Sequence, residues 1–213
     1  FDNLIVKAYR MLSADHILPH INFNLEKHIP SQAGLGGGSS DATYTLRLLN
    51  KLCQLNLNSA TLHQYAVRLG ADCAFFVTAT PAFATGIGDI LEPMNAECAH
   101  LHGMYLLIVK PTVAISTAQA FAFVKPQPTL IKCKDIVAQP VNSEWRNHLT
   151  NNFEVSAFKL HPEMHIIKEQ LYNMGALYAQ MSGSGSAFFG IFNTPPTLTA
   201  NHFNGMFTYL CQL

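Results

Sequence analysis

This sequence has little charge, and what it has is balanced. Lysine and arginine together number 13, as do aspartate and glutamate, so the formal net charge is zero and only 12% of residues are charged. A chain that grips a polyanion needs a basic face that displaces counterions, and no such face can be assembled here. Nucleic acid is therefore not an expected partner, and any nucleotide would be a single small ligand held by local geometry. Cysteine is scarce and unpatterned. Cys53, Cys73, Cys98, Cys133 and Cys211 are odd in number and form no C-x-x-C, which argues against disulfide staples and a zinc ribbon and suits a reducing cytoplasm. No apolar run reaches membrane-spanning length and no signal peptide is visible, so no membrane partner is expected.

What is present is apolar. Hydrophobic residues make up 49% of 213, enough for one or two cores. So few charges leave an apolar surface, which suggests a partner surface or a missing piece of chain. The oligomeric state is left open.

Leu4, Ile5, Ala8 and Met11-Leu12 recur at helical spacing, which predicts a helix over residues 3–13. Ile21, Phe23 and Leu25 alternate with polar residues, which predicts a half-buried strand ended by Pro30. Ser59 is an expected N-cap for a second helix with Gly70 as its stop. Strands are expected at 74–78 and 82–85, with a turn over Gly86-Ile87-Gly88-Asp89. The polar loop 95–103 reads as a boundary, and the apolar run 104–109 suits a central strand. Helices over 117–124, 152–160 and 162–173 and strands over 177–181 and 187–192 complete the pattern. Strands and helices mix without a regular βαβ rhythm, so the fold class is α+β in two lobes.

The richest chemical signal is Pro30-Ser31-Gln32-Ala33-Gly34-Leu35-Gly36-Gly37-Gly38-Ser39-Ser40-Asp41-Ala42. Four glycines in five positions let the backbone take positive φ and turn its N–H groups inward. A helix expected to start at the serines adds unpaired N–H groups and the positive end of its dipole. Such a segment holds an anion without lysine. A Walker A loop is excluded because no Gly-Lys pair occurs in the chain, and the glycine spacing is wrong for a dinucleotide fold. The plain alternative is a flexible turn with Ser39 or Ser40 as an ordinary N-cap.

Asp72 follows the helix-stopping Gly70 and precedes an apolar stretch, where a carboxylate is expensive unless paired or functional. A helix-stop aspartate bonded to local backbone is the competing reading. Asp41 falls in the expected first helical turn, where an acid is stabilising in its own right. Lys110 follows a buried strand and is expected to pack its stem. Cys98-Ala99-His100-Leu101-His102 lacks a second ligand pair at zinc spacing. His161-Pro162-Glu163-Met164-His165 has its glutamate in the wrong slot for a metallopeptidase, and Pro162 marks a helix start.

The segment from Pro30 to Ala42 resembles the ATP-binding motif of the GHMP kinases. Three further segments agree in order and spacing: Asp2-Asn3-Leu4-Ile5-Val6, the run Leu69-Gly70-Ala71-Asp72-Cys73-Ala74-Phe75-Phe76, and Met181-Ser182-Gly183-Ser184-Gly185-Ser186-Ala187. Ala74 stands where the family usually has proline. The form with three consecutive glycines and Ser-Ser is most similar to members acting on a cytidine-diphosphate-linked branched polyol in isoprenoid precursor synthesis. The resemblance implies ATP and Mg²⁺, with Pro30 to Ser40 binding ATP and Ser40 and Asp41 weak metal candidates. It also implies Asp72 as the group that orients or deprotonates the acceptor hydroxyl, with Val113, Gly183, Ser184 and Gly185 on the substrate side. It implies a ribosomal-protein-S5-like nucleotide-binding lobe over 1–103 and a ferredoxin-like lobe over 104–213. The family's N-terminal lysine strand and Gly-Tyr-His segment are absent, so a truncated form, not fully active alone, is expected. A mevalonate, homoserine or sugar acceptor, or a non-catalytic nucleotide-binding module, are the alternatives.

Overall fold

The computed structural model describes residues 3–125, 131–199 and 202–213; Asp2, the first residue of the N-terminal motif, lies outside them. The chain forms two compact units. The first comprises residues 1–31 and 36–95, the second residues 32–35 and 96–213. Among the described residues no helix is long and apolar enough to cross a membrane.

The first unit is helical around a small core. Helix α1 (Leu4–Asp15) starts where the Asn3 side chain accepts from the Ile5 N–H, and it buries Ile5, Ala8 and Leu12. Ala8 and Leu12 pack with Ala42, Leu46 and Leu49 of α2 (Gly37–Leu52) and with Leu62, Tyr65 and Ala66 of α3 (Ser59–Leu69). The spacing of these residues is the 3.6-residue stripe that buries one helix face. The Tyr65 hydroxyl donates to Asp15 at 2.7 Å and ties α3 to the end of α1. A short hairpin, β1 (Ala82–Thr85) and β2 (Ile90–Pro93), closes around the Gly86–Asp89 turn; the second strand was hidden because the turn signal dominates its neighbours.

Several sequence expectations fail here for local reasons. The alternation at Ile21, Phe23 and Leu25 makes no strand. Ile21 joins the core and Phe23 meets Tyr9 edge-on at 5.9 Å, but no described strand lies alongside to complete a ladder, and period-2 patterning cannot replace one. Residues 74–78 are not a strand either. Two 3₁₀ turns occupy Ala71–Cys73 and Phe75–Val77. The Cys73, Ala74 and Val77 N–H groups donate to the Gly70, Ala71 and Ala74 carbonyls at 3.0, 3.3 and 3.3 Å, which spends locally the backbone groups a strand ladder would need. Helix α3 is capped by Asn58, which accepts from the Thr61 N–H at 2.9 Å, and not by Ser59.

In the second unit, β3 (Tyr105–Lys110) runs centrally, as its apolar run requires. Helices α4 (Thr117–Phe121), α5 (Cys133–Val137), α6 (Ser143–His148), α7 (Phe153–Leu160) and α8 (Met164–Asn173) lead to β4 (Tyr178–Met181), β5 (Phe188–Phe192) and β6 (Phe207–Gln212). The sheet order is β4-β5-β3-β6, with every pairing antiparallel. Within this unit that is second, third, first, fourth, the ferredoxin-like order. Leu107, Val109, Ala179, Met181 and Phe188 pack on Met164, Ile167 and Leu171 of α8. Tyr178 and Ile191 pack on Ile136 and Trp145 of α5 and α6. With both faces covered, β3, β4 and β5 read as continuous apolar runs and not as alternation, whereas β6 lies exposed at the edge. The structure is thus α+β as expected.

Candidate functional site

The glycine segment has two backbone reversals, one at Gly34 among the residues of the second unit and one at Gly36, where helix α2 of the first unit starts. Gly34 and Gly36 take φ of 70° and 66°, a region costly for any residue with a Cβ. Helix α2 begins at Gly37, two residues before the serines, with Gly36 as its N-cap; the Ser40 N–H returns to the Gly36 carbonyl at 2.8 Å. Gly37 and Gly38 therefore lie inside the first turn. At Gly37 the lack of a side chain serves close packing, since a Cβ there would sit 3.1 Å from the Ile29 side chain. No side chain caps this end. The result is a 16-residue helix whose first N–H groups and dipole stay available to an anion.

Asp72 is delivered to the same unit. Gly70 stops α3, and the Ala71–Cys73 turn carries Asp72 at the surface. It is exposed, so the burial penalty anticipated from sequence does not arise. The turn is fixed from α2: the buried Thr43 hydroxyl donates to the Cys73 carbonyl at 2.9 Å. Burial pushes the Cys73 thiol pKa up, opposed by hydrogen bonds involving Ser39 and Thr43. Ser39, Thr43 and the Asp72 turn are thus neighbours, so the helix start and the carboxylate are brought together.

A cation that sequence reading missed also lies here. The Lys27 ammonium pairs with the Asp41 carboxylate, and Lys27 Nζ comes within 4.0 Å of where a Gly37 Cβ would stand. Its only signal is position, three residues before Pro30. The pair engages Asp41, one of two proposed metal donors. Among the described residues no cluster of three His, Cys, Asp or Glu could hold a metal by itself. Ser40 and Asp41 still fit an ion that arrives on a nucleotide, because Mg²⁺ keeps waters and phosphate oxygens and needs few protein ligands.

In the second unit, residues 32–35 are held by the turn that joins β4 to β5. The Ser182 hydroxyl donates to the Gly34 carbonyl at 2.8 Å, and the Ala187 N–H donates to the Ala33 carbonyl at 3.0 Å. A Cβ on Gly34 would lie 2.0 Å from the Ser182 carbonyl oxygen. Gly183 and Gly185 have φ of 52° and 87°. Val113 belongs to the same group, because its carbonyl accepts from the Ser186 hydroxyl at 2.5 Å and from Lys110 Nζ at 2.9 Å. Lys110 is 7% exposed, and desolvation pulls its pKa down. Its amine is spent on the Pro111 and Val113 carbonyls, which makes it a loop staple. Gln32, Ala33, Gly34, Val113 and the 183–185 turn are therefore assembled in one place.

The histidine clusters set aside on sequence do not assemble. His161 ends α7 and pairs with Glu163, whereas His165 pairs with Glu169 on α8.

Residues 3–80 match the family of GHMP kinases N terminal domains, and residues 132–200 match that of GHMP kinases C terminal domains. The chain is 46% identical over 211 residues to a protein of Bacteroides fragilis named 4-diphosphocytidyl-2-C-methyl-D-erythritol kinase, covering 99% of this chain and 76% of the relative. A protein of the same name from Bacteroides thetaiotaomicron is 49% identical over 197 residues, with 92% and 70% covered. Among solved structures, a 4-(cytidine 5'-diphospho)-2C-methyl-D-erythritol kinase superposes with a TM-score of 0.74 at 30% identity, covering 91% of this chain and 70% of that one.

Proposed function

Because the chain belongs to the GHMP kinase family, we propose that it transfers the γ-phosphoryl group of ATP to the 2-hydroxyl of 4-diphosphocytidyl-2-C-methyl-D-erythritol, a step of non-mevalonate isoprenoid precursor synthesis. The names of its relatives support the acceptor. The observation that carries the chemistry is the uncapped start of α2, joined through Thr43 and Cys73 to the turn bearing Asp72.

Residues 30–40 receive the triphosphate, with the first N–H groups of α2 donating to phosphate oxygens. Lys27 adds one positive charge beside that helix turn. Ser40 and Asp41 are the donors available to Mg²⁺, which when bound neutralises charge on the phosphates. Asp72 orients the acceptor hydroxyl and takes its proton as the oxygen attacks γ-phosphorus and ADP leaves. An exposed carboxylate, within reach of a bound hydroxyl, suits this base. Val113, Gly183, Ser184 and Gly185 are assigned to the acceptor. The nucleotide-binding lobe is assigned to residues 1–103 and the C-terminal lobe to 104–213, a division eight residues beyond the one between the compact units, which also counts 32–35 with the second. Five free cysteines fit a cytoplasmic setting.

Calorimetric titration of the chain with ATP·Mg²⁺, and then with the cytidine-diphosphate polyol, tests this. Asp72→Asn should bind ATP as the parent does while transfer falls about 10²- to 10⁴-fold. A variant that transfers phosphate at the parental rate would remove Asp72 from the reaction.

A further inference from the structure

The β4 edge of the second unit's sheet is closed by side chains, and they converge on one residue. Strand β4 is terminal in the sheet order, so half of its backbone groups have no neighbouring strand. Met181 is its last residue before the glycine turn. Its N–H donates to Glu154 Oε1 at 2.9 Å, and its carbonyl accepts from Asn151 Nδ2 at 2.8 Å. The same Asn151 nitrogen donates to the Gly183 carbonyl at 2.8 Å. Asn151 Oδ1 meanwhile accepts from the Phe153 N–H at 2.9 Å, which fixes the side chain at the start of α7.

The arrangement behind these contacts is a buried ionic one. Glu154 is 8% exposed, and its Oε2 accepts from Lys168 Nζ at 2.7 Å. Lys168 on α8 also donates to Gln180 Oε1 at 3.0 Å. A buried ion pair contributes little net stability over an apolar replacement, whereas it fixes direction well. Both carboxylate oxygens of Glu154 are committed, one to the strand and one to the lysine. The clamp therefore does more than finish an edge, for which any edge-blocking side chain would serve.

We propose that Asn151 and Glu154 are positioning residues for the Gly183–Gly185 turn. They hold Met181 and Gly183 by the backbone from outside the sheet, so the turn's amide groups keep one orientation. Gly183 and Gly185 have no side chains to stabilise their own positive φ, and without the clamp the turn samples other conformations. The consequence for ligand binding rests on the reading above that this turn meets the acceptor.

Asn151→Asp is the discriminating variant, because it keeps the oxygen that accepts from the Phe153 N–H while it loses both bonds to Met181 and Gly183 and turns a carboxylate oxygen toward their carbonyls. Amide hydrogen exchange of peptides covering 182–187 and calorimetric affinity for the cytidine-diphosphate polyol are compared with the parent, with Glu154→Gln, and with Trp145→Phe as a stability control. Trp145→Phe loses the indole bond to the Gln139 carbonyl in the same unit without touching the turn. Asn151→Asp should speed exchange of residues 182–187 and weaken acceptor binding, each about tenfold or more. Glu154→Gln, which keeps the Met181 bond, should show a smaller change in both. Trp145→Phe should alter neither local exchange nor affinity. Exchange in Asn151→Asp indistinguishable from the parent would overturn the clamp. Faster exchange with unchanged acceptor affinity would keep the clamp and overturn the turn's assignment to the acceptor.

Discussion

Gly34→Ala tests whether the glycine segment is a shaped structure or a flexible link. At φ +70° an alanine is strained by about 1–2 kcal/mol. The new methyl would also stand 2.0 Å from the Ser182 carbonyl oxygen and 2.9 Å from the Gly185 nitrogen. Both are backbone atoms, so no rotamer relieves the contact. Overpacking of this kind costs about 1–3 kcal/mol where the surroundings can shift. Moving apart also breaks the bonds from the Ser182 hydroxyl to Gly34 and from the Ala187 N–H to Ala33, each contributing about 0.5–1.5 kcal/mol. The sum is about 3–8 kcal/mol against the observed loop.

The matched control is Gly103→Ala. Gly103 also has positive φ, +83°, but a Cβ there meets nothing within 4 Å, so only the backbone strain of about 1–2 kcal/mol remains. Urea denaturation and calorimetric titration with ATP·Mg²⁺ are run on both variants. Gly34→Ala should lose ATP affinity by more than about a hundredfold, by adopting a different loop or by unfolding its unit. Gly103→Ala should bind ATP like the parent. Equal stability in the two variants with ATP affinity intact in Gly34→Ala would refute the close approach at Ser182 and the loop's role together.

Other outcomes follow from the same geometry. Asp72→Asn should leave the denaturation midpoint in urea within about 0.5 kcal/mol of the parent, because the side chain is exposed and surface changes are small. Lys27→Ala should change stability by about 1 kcal/mol or less, as partly exposed ion pairs contribute little; in a nucleotide titration it should weaken ATP binding about tenfold, having lost a charge-assisted contact. The buried Tyr178 phenol is held neutral far above its ordinary value of 10.0, mainly by desolvation. Above that pH the unfolded tyrosine ionises and the folded one does not, so the unfolded state binds fewer protons and stability falls by about 1.4 kcal/mol per pH unit. Tyr178→Phe, compared with the parent by urea denaturation from pH 9 to pH 11, should remove that slope while losing the bond to the Leu149 carbonyl at all pH values.

Sequence reading succeeded where one residue's chemistry decides a backbone state. Gly36 reverses the chain, Gly70 stops α3, and the apolar run before Lys110 must be covered on both faces. It failed where the deciding partner is remote in sequence. Ile21, Phe23 and Leu25 carry a strand's pattern but have no strand beside them. The 3₁₀ turns around Asp72 depend on Thr43, thirty residues earlier. Helices α5 and α6, of five and six residues, are too short to show a period. Lys27, Asn151 and Glu154 carry no motif, and their roles appear only when Asp41, Gly183 and Met181 are in place.

Asn151 and Glu154 share a logic that the glycines explain. A glycine turn offers close approach and free amide donors because it has no side chains, and for the same reason it cannot hold its own shape. Its conformation must be imposed from outside by groups that bond to its backbone. At residues 32–34 the imposing groups are Ser182, Ser186 and Ala187; at residues 181–183 they are Asn151 and Glu154; at Val113 they are Lys110 and Ser186. Each is a side-chain or main-chain donor or acceptor satisfied by backbone, so each would survive replacement of the glycine turn's neighbours but not loss of its own polar atom. Substitutions that remove those atoms should therefore loosen ligand binding more than they lower stability, whereas substitutions in the α8 core, such as Leu171→Ala, should do the reverse.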